Sequence, residues 1–142
     1  MHLDDELFKG RLIDVYNDGD MARDFTYIDD LVESIARLID AVPAQGQPAA
    51  GAVDSLSPAA PWRAVNIGLG APVRLDDFIA QVERTVGRTA LRNNLPMQAG
   101  DVPATFADAS LLAALTGYRP TTTVAQGVEA FWAWYRDYYQ VA

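Results

Sequence analysis

Ten of the eleven basic residues are arginine, and Lys9 is the only lysine. That count decides one kind of chemistry at once. A tyrosine four residues before a lysine can exchange protons near neutrality, because the cation lowers the phenol pKa. Lys9 precedes all six tyrosines, Tyr16, Tyr27, Tyr118, Tyr135, Tyr138 and Tyr139, so none of them belongs to such a pair. Nucleophilic catalysis fares no better: there is no cysteine, and the single histidine, His2, stands at the chain's end with no serine in a plausible setting. One histidine and no thiolate also leave nothing from which to build a His- or Cys-based metal cluster. The adjacent carboxylates Asp29-Asp30 and Asp76-Asp77 open helical patterns, where they complement the helix macrodipole rather than form an acid/base pair.

Three segments remain. Gly68-Leu69-Gly70 follows a strand-like run and invites comparison with a dinucleotide fingerprint, but the third glycine's place is held by Val73 and Pro72 removes a backbone N–H. Nucleotide binding by this segment alone is not expected. In Gly19-Asp20-Met21-Ala22-Arg23-Asp24, Arg23 follows a glycine turn, a position from which a guanidinium can reach into a cleft with Asp24 orienting it; a plain Arg-Asp turn salt bridge is the alternative. In Pro96-Met97-Gln98-Ala99-Gly100-Asp101, the glycine permits close approach of chain to ligand, and Asp101 can accept from a sugar hydroxyl or merely close a turn.

The elements that must position these residues can be read from hydrophobic period. Ile13-Asp14-Val15-Tyr16 alternates as a strand and runs into the turn Asn17-Asp18-Gly19-Asp20, and Phe25-Thr26-Tyr27-Ile28 is a second short β-prone run. Leu31, Ile35, Leu38 and Ile39 recur at helical spacing, predicting a helix from about Asp29 to Val42 with Asp30 and Glu33 as a capping box. Residues 43–61 lack any hydrophobic period and read as a long flexible loop. Arg63-Ala64-Val65-Asn66-Ile67 reads as a strand. Val73 to Leu75 leads into a helix bearing Phe78, Ile79, Val82 and Val86 and stopped by Gly87. Asp108 caps a short helix closing at Gly117, and Thr123 caps a last one carrying Phe131, Trp132, Trp134, Tyr135, Tyr138 and Tyr139, an aromatic band suited to a core or an interdomain face. The pattern is one mixed α/β domain over residues 1–142, without internal repeats.

Nineteen acidic against eleven basic residues give a formal charge of -8, which argues against general binding to nucleic acid or to an anionic membrane. A small anion would need a local arginine. No apolar run approaches the roughly 20 residues needed to span a bilayer, and the acidic start Met1-His2-Leu3-Asp4-Asp5-Glu6 is the opposite of a signal peptide's basic opening, so a cytoplasmic protein is expected.

Taken in order, the Arg23 segment, Asn66-Ile67-Gly68, Pro72-Val73, Pro96-Met97-Gln98-Ala99-Gly100-Asp101-Val102, Gly117-Tyr118-Arg119-Pro120 and Trp134-Tyr135-Arg136-Asp137-Tyr138-Tyr139 resemble the extended short-chain dehydrogenases that epimerise or dehydrate nucleotide sugars, above all the UDP-glucuronate 4-epimerases. Only the first ten residues and the stretch around Pro43 to Pro61 look unlike that family. The resemblance implies that Arg23 contacts the diphosphate of a UDP-sugar and that Asp101 bonds the ribose. It also implies that Gln98 stands where many relatives place a second phosphate-binding arginine, a neutral replacement that rests more of the diphosphate's affinity on Arg23.

Members of that family carry an N-terminal Rossmann domain with the glycine fingerprint, the Tyr-Lys pair and NAD, by which hydride leaves and returns to the sugar's C4. This chain has neither motif. The resemblance therefore implies a small C-terminal substrate domain that binds no cofactor itself, is inactive alone, and has a UDP-sugar and the missing Rossmann domain as partners, with a homo-oligomer allowed. Two alternatives stand beside it: a non-catalytic protein-interaction module built on the same fold, and a domain of a nucleotide-sugar dehydratase or decarboxylase.

Overall fold

The computed structural model describes residues 10–141. His2 and Lys9 lie outside the described residues. The chain is mixed α/β, with four α-helices and two small two-stranded sheets among the described residues, and it divides into two compact units.

The first unit comprises residues up to Arg23, Pro72–Thr105 and the chain from Thr123 onward. Strand β1 is Leu12–Tyr16, where Ile13 and Val15 are buried and Leu12 and Asp14 exposed, the period of two that a one-sided strand requires. It pairs in parallel with β4, Leu91–Leu95, in the register Leu12 to Leu91 through Tyr16 to Leu95. A parallel pair needs a crossover, and helix α2, Leu75–Val86, lies between the two strands in the chain. Its apolar face meets helix α4, Val124–Tyr139, around a core of Ile13, Val15, Ile79, Val82, Ala90 and Val128. The short strands β2, Ala22–Arg23, and β3, Val73–Arg74, pair antiparallel, and Ala22 also bridges to Ala104. Arg23 is thus fixed by ladder bonds on both sides of its strand.

The second unit, Asp24–Ala71 with Phe106–Thr122, contains no strand among the described residues. Helix α1, Ile28–Asp40, packs against helix α3, Ser110–Thr116, where Leu111 is buried and Leu112 fully so.

Several expectations hold. Gly87 and Gly117 end α2 and α3 in left-handed conformation, and Thr123 forms a full capping box with Gln126, worth about 1 kcal/mol. Others do not. Asp30 and Glu33 form no capping box: α1 begins after Tyr27, so Asp30 lies inside the first turn and is used elsewhere, while Glu33 pairs with Arg37 at 2.6 Å. The strand near Arg23 is Ala22–Arg23 rather than the run from Phe25, because Ala22 and Arg23 have a partner in β3 and Ile28 already belongs to α1. Residues 63–67 keep the period of two, with Val65 and Ile67 half-buried and Ala64 and Asn66 exposed, but form no ladder, since among the described residues no strand lies beside them. Strand β4 is the reverse case: Leu-Arg-Asn-Asn-Leu has little strand propensity, and only β1 makes it one.

Residues 43–61 have no helix or strand, yet polar bonds tie them together. Asp54 accepts from the N–H groups of Ala49 at 2.7 Å and Leu56 at 3.0 Å, and it faces Arg63 at 3.4 Å with both side chains buried. Ser55 and Ala64 exchange two hydrogen bonds across the loop's base.

Candidate functional site

Arg23 and Asp101 are 78 residues apart and meet side chain to side chain: Arg23 Nη2 donates to Asp101 Oδ1 at 2.7 Å. Each is also held by backbone groups around it. Nη1 of Arg23 donates to the carbonyls of Ala22 at 2.9 Å and Pro103 at 3.4 Å, which lays the guanidinium along the junction of β2 with residues 102–104. Asp101 sits at the end of a turn in which its N–H donates to Gln98 O at 3.2 Å and Gly100 takes φ +85°, a conformation that costs a residue with a Cβ dearly. Oδ1 of Asp101 also accepts the Val102 N–H at 2.8 Å.

The three expected site residues therefore occupy one place, in different ways. Arg23 and Asp101 touch by side chain; Gln98 joins through its carbonyl, and its side chain is exposed. The Arg23 and Asp101 side chains are 32% and 35% accessible, so the pair is screened and contributes under about 1 kcal/mol to stability. Weak internal pairing and accessibility together suit a guanidinium that can turn to an incoming anion.

Asp24 does not orient Arg23, contrary to expectation. Its Oδ2 accepts the N–H groups of Gly70 at 2.9 Å and Ala107 at 3.0 Å. This also explains the glycine pair that resembles a phosphate loop. A Cβ on Gly68 would lie 2.7 Å from Asp24 Oδ2 and 2.6 Å from the Ala107 Cβ, so the glycine is required for close approach to the protein's own carboxylate. The amide that a phosphate loop would offer a ligand is already given to Asp24.

One polar cluster was not legible as such from the sequence. Asp30, 7% exposed, accepts from Tyr118 Oη at 2.6 Å, Thr122 N at 2.8 Å and Thr121 N at 3.2 Å. Burial pushes its carboxyl upward, but the hydrogen bonds from Tyr118, Thr122 and Thr121 outweigh it and hold the pKa below the ordinary value. Tyr118 responds in the opposite sense: its bond to Asp30, then burial and the nearby negative charge, push the phenol up to about 12. A tyrosine made harder to ionise is the opposite of a catalytic one. The signal available in sequence was the pair of separate motifs, Asp29-Asp30 and Gly117-Tyr118-Arg119-Pro120, with nothing to say that they meet. Among the described residues no cluster of three or more His, Cys, Asp or Glu side chains has metal-site geometry.

The residues present do not fit NAD. The one Gly-x-Gly segment has its Gly70 N–H committed to Asp24, and no tyrosine stands four residues before a lysine.

No family model matches the chain. It is 52% identical over 140 residues to a probable UDP-glucuronate 4-epimerase of Rhizobium meliloti (strain 1021), a match covering 97% of this chain and 41% of that protein. With UDP-glucuronate 4-epimerase 4 of Arabidopsis thaliana it shares 35% over 138 residues, 94% of this chain and 31% of that one. A crystal structure of the UDP-glucuronic acid 4-epimerase of Bacillus cereus with UDP-glucuronic acid and NAD superimposes with a TM-score of 0.74 at 26% identity, over 96% of this chain and 39% of that one. The chain thus matches the C-terminal part of UDP-glucuronate 4-epimerases and spans less than half their length. The relatives' solved structures contain NAD in the complete enzyme. No helix among the described residues is long and apolar enough to cross a membrane.

Proposed function

We propose that this chain is the substrate-recognition part of an NAD-dependent sugar-nucleotide 4-epimerase, that its ligand is a UDP-hexuronate, and that it is inactive as an isolated chain. The observation that carries this reading is the contact of Arg23 with Asp101 at 2.7 Å, an arginine and a carboxylate brought to one accessible place from distant segments. In the free protein Asp101 holds the guanidinium in position. On binding, the diphosphate replaces Asp101 on one edge of Arg23, the bidentate geometry that arginine offers phosphate. Asp101, released from part of its pairing, accepts from ribose hydroxyls, and Gln98 supplies a neutral hydrogen bond. Both units act together as one substrate domain that includes the loop of residues 43–61, and the protein works in the cytoplasm, where a cysteine-free chain has no disulfide to lose.

Chemistry at the sugar belongs to groups that this chain does not contain, and no hydride step is assigned to it. The test is calorimetric titration of UDP into the chain and into Arg23→Ala. Loss of an arginine that faces a diphosphate weakens binding by about tenfold or more. Equal binding by the two proteins removes Arg23 from this role, and turnover of UDP-glucuronate by the isolated chain refutes its inactivity.

A further inference from the structure

Strand β2 has a neighbour on each side. Arg23 lies opposite Val73 in the antiparallel pair, and on the other edge Ala22 donates to Pro103 O at 2.8 Å and accepts from Thr105 N at 3.1 Å. Carried two residues further, those parallel bonds would bring the Ala107 N–H to the Asp24 carbonyl. It goes instead to the Asp24 side chain, whose Oδ2 accepts from Ala107 N at 3.0 Å and from Gly70 N at 2.9 Å. One carboxylate oxygen thereby ties down both flanking segments just past the point where the ladders end. The ladder bonds lie in the first unit and the carboxylate's bonds in the second, and the Arg23–Asp24 peptide bond joins the two sets.

The clasp is closely built. Gly68 leaves room for Oδ2, and the other oxygen, Oδ1, is buried with no hydrogen-bond partner. A carboxylate kept dry on one side at a cost in stability is placed there for what its other oxygen does. Its position in the chain matters too. In an extended chain successive side chains leave on opposite faces, so a carboxylate that is to hold the strand without meeting the guanidinium belongs at the next position. Arg23 carries its charge at the end of a long stem, and a small rotation of the backbone at its Cα is magnified at Nη2.

Resting on the reading of Arg23 as the arginine that meets a diphosphate, we infer that Asp24 is a positioning residue for it. The carboxylate pins the backbone immediately after Arg23 to the Gly70 and Ala107 amides, and so fixes the place from which the guanidinium reaches Asp101 and the ligand. Asp24 touches neither the ligand nor the guanidinium; it acts through the backbone they depend on. An ionised acceptor suits the task, because it holds two N–H groups more strongly than a neutral one.

The test follows Arg23 itself, by NMR of its side-chain Nε–H, a signal identified by its disappearance in Arg23→Ala. Asp24→Ala moves that signal toward the value of a free arginine, speeds solvent exchange of the Gly70 and Ala107 amides about tenfold or more, and weakens UDP binding about tenfold. Asp24→Asn keeps an oxygen for both amides, and it holds the Arg23 signal near its parent position and retains most of the affinity. Tyr118→Phe, which loosens a separate polar clamp in the same unit as Asp24, leaves the Arg23 signal where it was. Should Asp24→Ala fail to fold, Gly68→Ala replaces it, since the added Cβ would lie 2.7 Å from Asp24 Oδ2 and displace it. An Arg23 signal unmoved by the disrupting variant, or moved as far by Asp24→Asn or by Tyr118→Phe, overturns the inference. Failure of the parent chain to bind UDP, with the Arg23 signal still following Asp24, counts against the recognition reading alone.

Discussion

The two units each place carboxylates against donors, and the outcomes are opposite. In the second unit Asp30 and Asp54 are buried; Asp30 accepts from three donors outside its own helix, and Asp54 accepts two backbone N–H groups and faces a buried arginine. In the first unit Asp101 meets Arg23 at a third of full exposure. Burial makes the difference. A desolvated carboxylate that lost a partner would leave others stranded, so it is committed to structure. A half-exposed pair exchanges protein contacts for water or ligand at little cost, and so is available for recognition.

The contrast would be broken most forcefully at Asp54. Asp54→Ala leaves the buried Arg63 without its counter-charge, and removal of one partner of a buried pair costs about 3–5 kcal/mol. A lower urea midpoint and faster proteolysis within residues 43–61 are the expected results; an unchanged midpoint would show that the loop contributes nothing to the fold. Asp30→Ala comes next, at about 3 kcal/mol, since it strands the Tyr118 hydroxyl and two amides.

Protonation gives a gentler version of the same experiment. The folded pKa of Asp30 lies below its ordinary 3.8, so its contribution is whole above that pH and is lost as pH falls through the folded value. The folded pKa of Tyr118 is raised from 10.0 to about 12, so its contribution is present below pH 10 and lost as pH rises toward 12. Urea midpoints followed across pH should lose part of their acid limb in Asp30→Asn and part of their alkaline limb in Tyr118→Phe. Limbs that coincide with those of the parent protein would mean that the pair does not hold the fold.

Arg23→Ala has the smallest effect on stability, under about 1 kcal/mol, because the pair is screened. Paired with a loss of UDP affinity, that small change would sharpen the division between the buried carboxylates that hold structure and the half-exposed one proposed to meet a ligand. A large drop in Tm would place Arg23 with Asp30 and Asp54 as a structural residue.

Local rules made much of the frame readable in advance. Periods of two and 3.6 located β1 and three of the helices, Gly87 and Gly117 marked helix ends, and Thr123 with Gln126 marked a start, because each signal lies within one turn or one strand. Strand β4 was invisible, since Arg92, Asn93 and Asn94 become strand only through pairing with β1. Residues 63–67 failed in the other direction, for a strand pattern without a neighbour makes no ladder.

The candidate site divides along the same line. The family resemblance singled out Arg23, Gln98 and Asp101 as candidates, and the position of the lone lysine excluded a Tyr-Lys pair. Which aspartate holds Arg23 was a tertiary matter: Asp24, its neighbour in the chain, turns to the Gly70 and Ala107 amides, and Asp101 arrives from 78 residues away. Asp30 likewise looks like a helix cap until Tyr118 and the Thr121 and Thr122 amides are placed around it. A carboxylate's identity is written in one residue, but its role depends on which donors long-range packing brings within 3 Å and on how much water that packing removes.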